Sequence, residues 1–542
     1  MAHIVTQPCC KDAGCVAVCP VDCIHPTPTE RLFRPSEMLY IDPEKCIDCG
    51  ACVDECPVDA IVPPEDITPG MQPFVEINAA YYQDNPVPGP DPEPQPIEVK
   101  AAPGVLRVAI VGSGPSASYL AESLVANRRL PVEISILERL PVPGGLVRFG
   151  VAPDHPSTKE VASGFLRTMG RKNVDIFLGV EVGTHLTHDD LLRHHHAVVY
   201  ASGTSGDRAL NVPGEDMPGS VSAREFVAWY NGHPDHANQR FDLSCERAVI
   251  VGNGNVALDV ARILSSDVSR LLKTDIAAHA LEALAASRIR EVVVLGRRGP
   301  AHAAFSTPEL LGLTDLPGVS VTASHAFVAS TALDRIRADI LTRCAAEAAV
   351  PGDRRIHLQF LRSPVEVLGT ERVEGLRVSV DDPETDGGVE DVAAGLVLRS
   401  IGFRGSPIPS VPFDAERGTI PHRAGAVVES GTGAPVSGVY TAGWIKRGPS
   451  GVIGSNKSCS AETAASIVSD FVGGRLREPQ GGRQSFSDFV DAVRPGRIDL
   501  QGWRRIDSHE KSAGRAVGRP RVKLVDRDEM VSVALGEAVA AR

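Results

Sequence analysis

From Val105 onward the chain repeats one pattern: a short apolar run, a glycine, then a longer stretch with apolar positions at helical spacing. The runs RVAIVG, EISILE, AVVYASG, AVIVGNG and EVVVLGRRG read as buried strands. Their alternation with helices predicts an α/β fold with open, mostly parallel sheets. The first 75 residues lack this alternation, because cysteine, proline and acidic residues break up their apolar positions. Between the two zones lies NPVPGPDPEPQPIEVKAAP, residues 85–103, with few large apolar side chains. Each proline fixes φ and removes a backbone donor, so this stretch predicts an extended linker. No short tandem repeat is visible. The run His194–His195–His196 stands just before a strand and reads as a solvated loop rather than a metal site.

The 542 residues suggest three or four domains, and 43% hydrophobic with 23% charged residues is ordinary for a soluble globular protein. A net charge of −13 argues against nucleic acid as a partner, since phosphate backbones need a positive face. No apolar run reaches the ~18 residues of a membrane span. The start, MAHIVTQPCC, does not have the form of a secretory signal, so a cytoplasmic, reducing location is expected. Nine of the twelve cysteines lie between Cys9 and Cys56, which in a reducing compartment points to metal ligation rather than disulfides.

Cys46-x2-Cys49-x2-Cys52-x3-Cys56-Pro57 has the spacing of an iron–sulfur run, in which three thiolates hold one cluster and the fourth reaches another. A zinc site separates its cysteine pairs by a longer loop. Upstream, Cys9-x5-Cys15-x3-Cys19-Pro20 repeats the spacing, except that Asp12 stands at the second ligand position. Crossover pairing groups Cys19 with Cys46, Cys49 and Cys52, and Cys56 with Cys9 and Cys15. The first group is expected to hold a [4Fe–4S] cluster. The second is expected to hold a [3Fe–4S] cluster, or a [4Fe–4S] cluster with Asp12 as ligand. Cys10 and Cys23 are left over and read as small buried hydrophobes.

Two strand-to-helix turns carry dinucleotide fingerprints. Gly112-x-Gly114-x-x-Ala117 is followed by a second strand ending in Glu138, placed to accept from a ribose hydroxyl. Gly252-x-Gly254-x-x-Ala257 is followed by a strand ending in Arg297 and Arg298, and two guanidinium groups there suit a 2′-phosphate, favouring NADP(H) over NAD. Two such turns suggest one flavin site and one nicotinamide site. A third glycine-rich turn near Gly451 precedes another helix.

LERLPVPGGLVRFGVAPDHPSTK, LNVPGEDMPGSVSAREFVAWYNGHP, VGNGNVALDVARIL, VLGRRGPAHAAFSTPEL and GWIKRGPSGVIGSNK together resemble the adrenodoxin-reductase-like NADPH–ferredoxin reductases over about residues 105–475. VCPVDCIHP and YIDPEKCIDCGACVDECPVDAI resemble bacterial seven- and eight-iron ferredoxins. The whole chain is similar to the fused ferredoxin/ferredoxin–NADP reductases of actinobacteria. The resemblance implies a ferredoxin domain with an α+β fold at 1–75, a linker at 76–104, a Rossmann-like FAD part at 105–206 and an NADP part at 207–405. At 406–542 it implies a second FAD part with a C-terminal extension.

It further implies that Ser116, Glu138, Leu146, Val182, Trp444, Gly451, Val452 and Ile453 line FAD. Arg208, Asn253, Gly254, Asn255, Val256, Arg297, Arg298, Glu309 and Gly451 would meet NADP, with His155 near the flavin. Relatives often read ELRE where this chain has Glu309-Leu310-Leu311-Gly312, so a second carboxylate is absent at Gly312. The implied activity is hydride transfer between NADPH and FAD, then single-electron transfer to the clusters and to ferredoxin or another one-electron acceptor. An electron-entry subunit of a larger complex, of the glutamate-synthase small-subunit type, is the competing reading, and a redox-responsive binding protein a third.

Overall fold

In a computed structural model, residues 2–86, 104–383 and 387–537 are described. Most of the expected linker, 87–103, lies outside them. Two mostly parallel sheets dominate the body, and in each the strand order reverses at a central strand. In the first, Leu106–Val111 lies between Val132–Glu138 on one side and Ala197–Tyr200 on the other, with Val174–Leu178 and Pro435–Thr441 beyond them. In the second, Arg247–Val251 lies between Glu291–Gly296 and Leu396–Arg399, all parallel. Such a reversal opens a crevice at the carboxyl end of the central strand. Both glycine fingerprints stand at these two crevices.

The chain passes between the two sheet domains twice, and the crossings pair with each other: Phe403 opposite Asp207 and Arg404 opposite Gly206. A buried ion triad clamps the same junction. Asp275 of the second domain meets Lys159 of the first at 2.6 Å and Lys523 of the C-terminal extension at 2.9 Å. One carboxylate between two ammonium groups tolerates burial only while all three stay paired, so the triad ties the extension to both domains.

The small N-terminal lobe is built twice over. Helices Gly14–Val18 and Ala51–Glu55 stand 37 residues apart, as do strands Ile24–His25 and Ile61–Val62. The left-handed residues repeat too: Lys11, Ala13 and Asp22 in one half correspond to Asp48, Gly50 and Asp59 in the other. In the sequence the repeat shows in the cysteines and in CPVDCIHP (19–26) against CPVDAIVP (56–63), while most other positions have diverged. The expected boundary at residue 75 is corrected. Helix Gln72–Asp84 runs through it, burying Phe74, Ile77 and Tyr81 against the lobe. Tyr81 stacks on Tyr40 with ring centroids 4.2 Å apart. Buried Asn78 accepts from the amides of Val5 (3.2 Å) and Ile41 (2.9 Å) and donates to the carbonyl of Val5 (2.9 Å), so the helix closes the lobe. A short helix of mixed polarity beside a proline-rich stretch carries too little pattern to be separated from a linker.

The histidine run is a second correction. Helix His188–His194 leads straight into strand Ala197–Tyr200, so His195 and His196 are carried inside. His195 Nε2 and the Ser135 hydroxyl are 3.0 Å apart, and burial holds its pKa down at about 4. No helix among the described residues is long and apolar enough to cross a membrane.

Candidate redox site

The cysteines assemble across the two halves of the lobe. Cys52 has the thiols of Cys46, Cys19 and Cys49 around it, whereas Cys15 faces Cys9 and Cys56. Burial pushes the Cys52 thiol up to about 11 and raises Cys9 and Cys15 as well. Thiols held neutral by burial become ligands only beside a cation that offsets desolvation, which an iron cluster supplies. Two backbone amides donate to sulfur at equivalent places: Cys23 to Cys19 Sγ at 3.4 Å, and Ala60 to Cys56 Sγ at 3.3 Å. These donors favour thiolate character at the crossover cysteines. Cys10 is buried among Val58, Tyr119, Val147 and Phe165. Cys23 is also buried, but its sulfur lies 3.4 Å from that of Cys19, a proximity that no spacing rule signals.

Asp12 does not sit as the spacing suggests. One carboxylate oxygen accepts from the Tyr119 hydroxyl at 2.9 Å, and the other meets Lys457 Nζ and the Gly14 amide, each at 3.2 Å. Tyr119 and Lys457 belong to the reductase body. A hard carboxylate finds better partners in an ammonium and a hydroxyl than in cluster iron.

Asp12 is part of a wider contact. The amide of Gly454 donates to the carbonyl of Cys10 at 2.7 Å, and a β-carbon at Gly454 would overlap the carbonyl of Lys11. Ile453, like Cys9 and Cys56, packs against the apolar cluster that contains Cys10. On the other side of the lobe, Asp84 accepts from the first amides of helix Ala332–Ala346, at Ala332 (2.8 Å) and Leu333 (3.0 Å), a favourable end for an anion. Glu37 accepts from the Thr307 amide at 2.9 Å. The small lobe therefore sits on both sheet domains at once, with Cys9, Cys15 and Cys56 on the side of the Gly451–Ile453 turn.

The two nucleotide turns share one construction. Gly112 and Gly252 both have positive φ, and a β-carbon on either would run into a neighbouring carbonyl, of Ala201 and Ser400 respectively. The next glycine of each, Gly114 or Gly254, caps a helix without a side chain, so the first-turn amides remain free to meet a phosphate. Glu138 closes the first turn by accepting from the Ser113 amide (3.1 Å) and hydroxyl (2.7 Å), with lone pairs to spare. Gly144 and Gly145 also have positive φ; Gly145 presses on Gly114, and the Gly144 amide donates to the Ser113 hydroxyl at 3.3 Å. Ala117 is fully buried, and Ser116 turns inward to donate to Asn456 at 2.8 Å, so its hydroxyl serves the helix packing. Leu146 and Val452 are partly exposed at the crevice, and Trp444 stacks on Phe403. Val182 is half-buried, bridged to Leu186.

At the second turn Asn255 accepts from the Ser306 amide at 2.8 Å, and Asn253 and Val256 are half-buried. Arg297 and Arg298 are exposed, and neither guanidinium meets a partner among the described residues. Arg208 is exposed beside the interdomain ribbon, against Gly402.

Between the two crevices lies a buried network organised by Arg262, which sequence reading missed although Asp259 and Arg262 interrupt an otherwise apolar helix. Arg262 donates to Asp154 (2.6 and 3.1 Å), Asp259 (2.6 Å) and Glu309 (3.3 Å), and to His155 Nε2. Arginine cannot accept, so in this contact the guanidinium is the donor. His155, Asp259 and Glu309 lie close enough to suit a metal, but the cation among them is the guanidinium. Burial raises Asp154, yet the contact with Arg262 outweighs it and holds the carboxyl below its ordinary range. Glu309 goes the other way: burial and the charge of Asp259 push it up.

Residues 39–62 match the 4Fe-4S binding domain family. A probable ferredoxin/ferredoxin–NADP reductase of Mycobacterium tuberculosis strain H37Rv is 48% identical, over 98% of this chain and 95% of its own length. The NADPH-ferredoxin reductase FprA of the same strain is 41% identical over 79% of this chain and 99% of its own. The structure of M. tuberculosis FprA in complex with NADPH superposes with a TM-score of 0.74 at 40% identity, covering 80% of this chain and 100% of that one. The small lobe is thus an iron–sulfur domain and the body a complete reductase of the FprA type. With nearly half of its residues shared along almost the whole of both proteins, the chain belongs to the ferredoxin/ferredoxin–NADP reductases, oxidoreductases that exchange electrons between NADP(H) and ferredoxin.

Proposed function

We propose that the Gly112 turn binds FAD, the Gly252 turn binds NADP(H), and electrons from NADPH leave the body through the cluster of Cys9, Cys15 and Cys56. The observation that carries this order is the docking of the Cys9–Asp12 turn on Gly451–Ile453, beside the first crevice. FAD bound there would supply the exchange between a two-electron hydride donor and one-electron acceptors. The protein's part is to fix positions. The first-turn amides orient the pyrophosphates, Arg297 and Arg298 hold the 2′-phosphate, and the Asp12–Lys457–Tyr119 contact keeps the first cysteine set in place.

The cluster of Cys19, Cys46, Cys49 and Cys52 is then the outer one. Cys49 is exposed and Ile47 is 59% exposed. Glu44, Lys45 and Asp48 flank them, a mixed polar rim around an apolar tip. Because Asp12 faces the body, three thiols remain for the inner cluster, which favours [3Fe–4S] there and [4Fe–4S] outside.

Oxidation of one NADPH by two one-electron acceptors leaves one proton over. Glu309 is the group placed to take it, since His155 is already committed to Arg262 and Glu309 is the carboxyl of the network whose proton affinity is raised. The basic test is reduction of added ferredoxin by the purified chain with NADPH alone; no reduction would end this reading.

Three results follow. Gly454→Ala inserts a β-carbon against the rigid backbone of Lys11, so docking fails while both nucleotide turns persist. Flavin reduction by NADPH is retained and cluster reduction slows about 100-fold, reflecting lost effective concentration. Equal loss of both rates would contradict the assignment. Arg297→Ala with Arg298→Ala raises the KM for NADPH about 10- to 100-fold, equivalent to about 1.5–3 kcal/mol, and changes that for NADH little. Equal use of both coenzymes by the unaltered protein would refute the phosphate role. Low-temperature EPR of the oxidised protein shows a three-iron signal that survives anaerobic treatment with iron and sulfide; its conversion to a four-iron form would mean Asp12 can swing to iron.

A further inference from the structure

The two halves of the iron–sulfur lobe carry opposite charges at one equivalent position. Lys11 and Asp48 each stand two residues after the first cysteine of their set, and both are left-handed, with φ of 58° and 59°. The backbone of the two turns is thus alike. So are the amide donors to the crossover sulfurs, from Cys23 to Cys19 and from Ala60 to Cys56. The two side chains differ in sign and in burial. Lys11 is only 1% exposed, and its ammonium donates to the carbonyls of Phe33 and, at 2.6 Å, of Ser36. Asp48 is half exposed, with one oxygen 2.8 Å from Nδ1 of buried His3.

The carbonyls satisfy the Lys11 donors without cancelling its charge. A buried ammonium calls for an anion nearby. Burial lowers its pKa to about 8, and the charges of Cys9 and Glu37 act against that shift. Glu37 is taken up by the Thr307 amide and Arg337, and Asp12, the next residue, by Tyr119 and Lys457. The anionic partner left for Lys11 is the set of Cys9, Cys15 and Cys56 when its thiolates hold iron. We infer that Lys11 raises the reduction potential of the inner cluster while Asp48 lowers that of the outer one, so that an electron leaving the body settles first on the inner cluster. This rests on the cluster assignment proposed above. Reduction adds a negative charge to a cluster, which a buried, poorly polarisable surrounding opposes. A fixed ammonium in the same surrounding offsets that cost, and salt screens it little. The carboxylate of Asp48 acts with the opposite sign and more weakly, because water and His3 share its charge.

The test is a redox titration of the full-length holoprotein at pH 7, without NADPH, followed by low-temperature EPR. Spin counts in the unaltered protein decide the assignment by themselves. A single cluster there ends that reading, whereas two clusters with unmoved midpoints in the variants end only this inference. Lys11→Gln keeps a donor for the carbonyls and removes the charge. At a fixed potential its ratio of reduced to oxidised inner cluster falls about tenfold, equivalent to about 59 mV for one electron, while the outer midpoint stays. Lys11→Met gives the same fall; a fall in Lys11→Met alone would make the bonds to the carbonyls the cause, and would overturn the role of the charge. Asp48→Lys, a change at the surface, raises the outer midpoint and leaves the inner one in place. An unmoved inner midpoint in Lys11→Gln overturns the inference. Should that variant lose its inner cluster, an unmoved outer midpoint in Asp48→Lys does so instead.

Discussion

The contact on which the rest of the structure depends is the seating of the Cys9–Asp12 turn on Gly454. There the backbones of two domains touch, through the Gly454 amide and the Cys10 carbonyl, with no side chain between them. Backbone contact of this kind cannot be adjusted by a rotamer change, so it fixes distance as well as affinity. Asp12, Tyr119 and Lys457 hold it from one side, and Glu37 and Asp84 hold the lobe to the second domain from the other. A lobe bound to one domain alone could follow that domain's movements. Bound to both, it resists their separation together with the Lys159–Asp275–Lys523 clamp.

The same seating brings the small lobe against the second sheet domain. The Gln7–Cys9 turn lies against Gly312 at one end and carries Cys9 at the other, so the second sheet domain and the first cysteine set meet at one turn of chain. Arg262 supplies the matching order in the body. Its buried guanidinium collects Asp154, Asp259, Glu309 and His155 into one network, and breaking any pair would leave a charge without compensation.

Much of the fold and the chemistry was legible in the sequence because it rests on short-range rules. Glycines at 112 and 252 are demanded by backbone conformation, and the spacing of Cys46, Cys49 and Cys52 brings them together. The double arginine stands at a strand end because that is where the crevice opens. What escaped depends on contacts made across long stretches of chain. Asp12 occupies a ligand position by spacing, yet its partners lie 107 and 445 residues away. Gln7 meets Gly312 with no local signal on either side. His195 and His196 look solvated until the strand that follows is seen to be interior. Helix Gln72–Asp84 was hidden because its stability comes from Tyr40, Val5 and Ile41 rather than from its own pattern.

The central claim is that flavin and clusters of one chain react with each other in the docked arrangement. The direct measurement is the first-order rate of cluster reduction after rapid mixing of the holoprotein with excess NADPH, taken across a hundredfold range of protein concentration. A rate that stays constant throughout is the result this structure demands. A rate that falls in proportion to dilution would show that the lobes meet only between molecules, and that the seating on Gly454 is not the path of the electrons.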